Sequence, residues 1–229
     1  MTLISRYNTD NFPEDQYNID RHIVRYSLFV SGSFIVILWL IKLFEVEYNL
    51  DFSSWGIAPL ELKGLRGILF SPLIHSNFGH LAANTMPLFI LTFSLFFFYR
   101  KASYKIFIAI YLLSGFFVWL TGREALHIGA SGIIYGLASF LFFSGILSRN
   151  VRLLTISLIV AFLYGYLFWG IFPIKPEISW ESHLWGGVAG FGIALLYGKT
   201  VKPYPPEPEQ EEDDDEEEEE KNETDSGTN

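Results

Sequence analysis

A bundle of membrane-crossing α-helices is the fold class that this 229-residue sequence predicts, and three observations predict it. Half of the residues are hydrophobic and 22 are Phe, which is too apolar for a soluble domain of this size. Apolar runs recur, long enough at ~1.5 Å per residue to approach the ~30 Å of a bilayer's hydrocarbon core. The charge is also segregated. Residues 201–229 hold 14 of the 25 acids, which leaves 14 basic and 11 acidic residues, a net of +3, in residues 1–200.

Residues 1–22 read as a polar N-terminal arm of weak periodicity, too polar for a cleavable signal peptide. The run Ser27–Phe44 is the first span, with Lys42 near its end able to snorkel to the interface. Residues 45–79 mix Trp55, Leu60, Leu62, Leu65 and Leu69 with Gly56, Pro59, Gly64, Gly67 and Pro72. No part of this stretch can span, so it reads as a partly helical loop lying in the interface, apolar side down. A structured loop of such length is more often functional than a plain connection.

The second span, His80–Tyr99, opens with His80, Asn84 and Thr85, carries Pro87 near its start, and stops at Arg100 and Lys101. Lys105–Leu120 is the third span, Ser131–Leu147 the fourth, Leu153–Phe172 the fifth and His183–Tyr197 the sixth. The expected architecture is therefore an all-α, six-transmembrane-helix bundle over residues 23–198, with an interfacial loop between helices 1 and 2. Residues 199–229 form an acidic tail, and its run from Glu209 to Glu220 cannot bury anything and reads as disordered.

Counting Lys and Arg orients the bundle. The N-terminal arm, alternate loops and the tail hold 11, and the opposite side holds 5. Both termini are expected in the cytoplasm. Small size and the lack of a targeting extension point to a bacterial plasma membrane. No basic cluster suggests nucleic acid. Cysteine is absent and no HExxH occurs, so neither a metal nor a cofactor is implied.

On this topology the second, fourth and sixth spans all begin at the outer face. His80, Asn84, Ser131 and His183 then fall at one membrane depth, where polar groups are costly and mark function. Gly132 and Gly136 form a GxxxG pair on the fourth span, and Gly186 and Gly190 form another on the sixth. Such pairs let two helices approach closely, as a Ser–His contact between their ends would require. Ser131 is thus a candidate nucleophile and His183 the base that would take its proton. Tyr135 shares a helix face with Ser131 and can support the imidazole. The Ser131 N–H and the side chains of His80 and Asn84 are candidate oxyanion donors. Glu181 need not face the His183 ring, which favours a dyad over a triad.

These motifs resemble the rhomboid intramembrane serine proteases: His80-Leu81-Ala82-Ala83-Asn84, Gly129-Ala130-Ser131-Gly132, Tyr135, and His183 spaced to Gly186 and Gly190. The resemblance covers about residues 23–198, including the long first loop. It implies Ser131 as nucleophile, His183 as base, His80 and Asn84 at the oxyanion, and Tyr135 packed on His183, with Gly129 in the supporting turn. It also implies transmembrane protein substrates, cut within the lipid bilayer through an acyl-enzyme. Two departures stand out. Many rhomboids carry Trp-Arg where this chain has Leu65-Arg66, and Trp185 follows the base where small residues are common.

Competing readings exist. Ser131 could merely cap a helix, and His80 and Asn84 could merely brace the first loop. His127, four residues before Ser131, rivals His183 as base, whereas His75 reads as a loop residue. A catalytically silent relative that binds or escorts membrane clients is the alternative function, but it would be expected to lack Ser131 or His183. A transporter is weaker, since no intramembrane carboxylate or clear repeat is present.

Overall fold

The computed structural model describes residues 14–149, 151–163, 172, 179–198 and 204. Within these, the regular secondary structure is helical apart from an isolated antiparallel bridge between Ile57 and His127. The long helices are α1 (Glu14–Glu47), α3 (Phe78–Phe98), α4 (Ser103–Thr121), α5 (Ser131–Leu147), α6 (Val151–Leu163) and α7 (Trp180–Tyr197), with a single-turn α2 at Gly67–Phe70. Among the described residues, three helical stretches are long and apolar enough to cross a membrane: Ile19–Glu47, Phe78–Phe98 and Ser103–Thr121. Ser131–Leu147 is a shorter apolar helix. The far half of the expected fifth span, the first part of the N-terminal arm and nearly all of the acidic tail lie outside the described residues.

Helix α1 begins at Glu14, well before the apolar run. Leu38 and Trp39 face the bundle, while Phe29 and Leu40 point outward and match a hydrocarbon surrounding. Lys42 does not snorkel. It is buried, pairs with Glu45 at 2.8 Å and donates to the His75 carbonyl at 2.9 Å. Glu45 in turn accepts the Phe52 N–H at 3.0 Å. One buried ion pair therefore pins both ends of the connecting loop, because an ammonium surrounded by carbonyl and carboxylate oxygens has no reason to seek water.

That loop runs through 3-10 turns at Ser53–Trp55, Leu62–Arg66 and Ser71–Leu73. Arg66 stacks its guanidinium over Trp55 at 5.0 Å and donates to the Ser54 carbonyl. The arginine thus finds an aromatic partner ten or so positions upstream, although Leu65 precedes it. Asn77 caps α3 by accepting the His80 N–H at 2.8 Å. Pro87 lies inside α3 rather than in its first turn.

The core centres on α5, whose Ile133, Ile134, Leu137, Phe140 and Leu141 pack against Leu88, Leu91 and Leu95 of α3 and Ile106 and Ile110 of α4. At one end of the bundle, the starts of α3, α5 and α7 meet. At the other, Tyr204 joins Asp20 of α1 to the end of α3, donating its N–H to Phe98 at 2.8 Å beneath the Arg100 guanidinium.

Candidate active site

The seam between α5 and α7 is built without side chains. A Cβ on Gly186 would lie 2.1 Å from the Gly132 carbonyl oxygen, and one on Gly190 would lie 2.0 Å from that of Gly136. No real side chain fits there, so the two backbones are in direct contact. Such contact brings the first turns of both helices together.

Ser131 is the first residue of α5 and His183 lies in the first turn of α7. The His183 Nε2 is 2.9 Å from the Ser131 Oγ, and both residues are buried. With Nε2 accepting the hydroxyl proton, the ring's own proton sits on Nδ1. Tyr135 lies flat against the imidazole, with centroids 4.2 Å apart and planes 9° from parallel. Ring rotation is thereby restricted, and the basic nitrogen stays aimed at the hydroxyl.

The turn ahead of Ser131 depends on Gly129. Its φ of +109° lies where L side chains are strained, and an added Cβ would stand 2.7 Å from Cε1 of His80. His80 therefore presses its Cε1–Nε2 edge on the turn leading to the serine. Its Nδ1 is 3.3 Å from the Ser76 hydroxyl. When Ser76 donates there, the imidazole proton sits on Nε2, facing the turn. Asn84 gives one amide proton to the His80 carbonyl at 3.0 Å, which leaves the other for a ligand.

The structure also adds a residue that the sequence left in a loop. His75 is buried, stands 5.0 Å from the His80 ring, and its Nε2 accepts the Ala130 N–H at 3.5 Å. Burial pushes its pKa down to about 3, with the neighbouring His80 and Lys42 charges acting in the same sense. It is thus a neutral acceptor bracing the peptide before Ser131. The spacing His75-x4-His80 was the available signal, but nothing local says that a loop histidine folds back under α5.

His127 does not reach Ser131. Its Nε2–H donates to the Arg123 carbonyl at 3.1 Å, and its Nδ1 accepts from Ser179. Burial holds it below the ordinary histidine value, partly offset by the Arg123 carbonyl and the Glu181 charge. Glu181 pairs with Arg123 at 3.5 Å, not with His183. Trp185 stacks on Phe117 of α4, with centroids 4.9 Å apart.

The family model described as the rhomboid domain matches residues 63–200 of this chain. This chain belongs to the rhomboid family. Rhomboids are generally serine proteases acting on membrane-protein substrates within the bilayer, although many members are inactive. Uncharacterised proteins of Mycobacterium bovis and Mycobacterium tuberculosis are each 36% identical to this rhomboid over 177 residues, covering 72% of both chains. One from Mycobacterium leprae is 32% identical, covering 72% of this chain and 68% of its own.

Proposed function

We propose that this rhomboid is an active intramembrane serine endopeptidase that cuts transmembrane segments of other membrane proteins. The observation that carries the reading is the buried Ser131–His183 hydrogen bond at 2.9 Å. A serine whose proton is already shared with a neutral imidazole is one step from being a nucleophile.

In the first step the Ser131 Oγ bonds to the scissile carbonyl carbon while its proton passes to His183 Nε2. The negative charge forming on the carbonyl oxygen is met by the Ser131 N–H, His80 Nε2–H and the second amide proton of Asn84. Donors of this kind are worth about 3 kcal/mol each in other hydrolases. The tetrahedral species then expels the amine, which takes the proton back from His183, and leaves an ester on Ser131. Water, deprotonated by the same imidazole, cleaves the ester and regenerates the hydroxyl. Gly129 supports the turn, Tyr135 the base, and Gly132, Gly136, Gly186 and Gly190 the seam.

The membrane arrangement proposed with this reading has six spans, α1 and α3 to α7, in a bacterial plasma membrane with both termini cytoplasmic. Residues 1–22 form an arm, 23–198 the catalytic domain and 199–229 the tail. The exposed Leu60, Leu62 and Leu69 support an interfacial position for the first loop. Possession of both dyad residues argues against the silent, client-binding alternative.

The test is fluorophosphonate labelling of the full chain in detergent, together with cleavage of a transmembrane substrate. Ser131→Ala and His183→Ala should each lose labelling and at least about 10⁴-fold of the turnover. Equal labelling of wild type and both variants would sink the site.

A further inference from the structure

The mechanism leaves unused a buried polar group on the α4 side of α7. Ser179 stands at the N-cap position of α7 yet caps no backbone N–H. Its hydroxyl instead binds His127 and lies 2.7 Å from the Ser182 hydroxyl. Two residues on, Glu181 is 3% exposed, and among the described residues no hydrogen-bond donor reaches its oxygens. The half-exposed Arg123 faces its charge at 3.5 Å. A carboxylate so placed caps no backbone N–H and, although the dipole of the first turn favours it, is costly to bury.

The geometry of Ser182 gives the group a use. Its hydroxyl is tied through Ser179 to His127, and its carbonyl rests over Gly132, 3.2 Å from where a Cβ there would lie. Its neighbours on either side are Glu181 and the base His183, and Gly132 follows Ser131. His127 is itself fixed by two backbone bonds to Ile57, each 3.0 Å, and by its bond to the Arg123 carbonyl. The first turn of α7 is therefore gripped from the α4–α5 connection on one side and by the α5 glycines on the other.

We propose that Arg123, His127 and Glu181 are positioning residues that clamp the first turn of α7 and so set the His183-to-Ser131 distance. The proposal rests on the dyad reading. His127 acts here as a ring-shaped double hydrogen bonder, accepting from Ser179 and donating to the Arg123 carbonyl, and takes no part in the chemistry. Arg123 and Glu181 act as one unit, so removing Arg123 leaves the buried Glu181 carboxylate without its ion-pair partner. Small displacements of a base relative to its nucleophile lower turnover without altering substrate binding.

The test uses the full-length protein in detergent micelles, with kcat and KM on a transmembrane peptide and thermal midpoints for each variant. His127→Leu and Glu181→Leu should each lower kcat by about tenfold to 100-fold, with KM changed by less than about twofold. His127→Gln can accept from Ser179 and donate to Arg123, and it should restore most of the activity lost in His127→Leu. The double variant Arg123→Met with Glu181→Leu should be more thermostable and more active than Arg123→Met alone. The clamp is overturned if His127→Leu turns over at the wild-type rate, or if the double variant gains nothing over Arg123→Met. If His127→Gln is as inactive as His127→Leu, the ring has a chemical role and the positioning assignment is wrong. If His127→Leu does not fold, the Gln variant and the double variant decide. Labelling of Ser131→Ala equal to wild type would instead overturn the dyad, while the thermal midpoints still judge the clamp.

Discussion

Where α5 meets α7, backbone lies on backbone; where α1 meets α3, side chains and an ion pair make the joint. The first seam has glycines facing carbonyls at Gly186 and Gly190. The second has Trp39 donating to Thr85 at 3.1 Å and stacking on Phe78, with the Lys42–Glu45 pair at its end. The first seam carries Ser131 and His183, whose hydrogen bond tolerates only tenths of an ångström. The second carries the loop that leads to His80. Direct backbone contact removes rotamer choice, so it suits a close Ser131–His183 hydrogen bond. Side-chain contact can repack, so it suits a support.

The contrast is easiest to break at Gly190. Gly190→Leu must part the helices, since the obstructing atom is a carbonyl oxygen that cannot swing aside. Its expected cost exceeds about 3 kcal/mol, beyond ordinary overpacking, and should appear as lost labelling and a collapsed thermal midpoint in detergent. The support seam breaks differently. Lys42→Met strands Glu45 and should cost about 3–5 kcal/mol, while Lys42→Met with Glu45→Leu recovers most of it. A thermal denaturation series would reveal that recovery, which no second substitution can provide at Gly190.

Asn84→Ala should leave the thermal midpoint nearly unchanged yet lower kcat by about 100-fold if it is an oxyanion donor as proposed. His75 makes the support side sensitive to acid. Its native pKa, about 3, lies below the unfolded value of 6.5. Between those values the unfolded chain holds a proton that the native state does not. Stability should therefore be full above pH 6.5 and fall as pH drops toward 3, by at most about 1.4 kcal/mol per pH unit. His75→Phe should flatten that limb in a pH series of thermal midpoints. Smallest of all, Leu62→Ala, at an 84% exposed position, should shift stability by less than about 0.5 kcal/mol.

Much of this was legible because membrane proteins impose strong local rules. Apolar runs marked the helices, and α5 starts at the Ser131 where the sequence put the fourth span. The depth argument and the glycine spacing brought Ser131 and His183 into one reading. What escaped was contact between loops and helix ends. Lys42 reads as a snorkelling residue until the loop carbonyls of His75 and Ser76 are seen around it. His127 reads as a rival base by sequence distance, but its ring points to Ser179, 52 residues away. The early start of α1 also escaped, since residues from Glu14 onward carry no apolar stripe that demands a helix.

The stack of Tyr135 on His183 has a consequence for charge. In the proposed mechanism His183 is an imidazolium while the tetrahedral species lives. The face of an aromatic ring is electron-rich and attracts a cation placed over it. At a centroid separation of 4.2 Å, the phenol lies where that attraction is felt, and it is felt only when the base is protonated. In that mechanism the ring that steadies the neutral histidine would also lower the energy of its charged form.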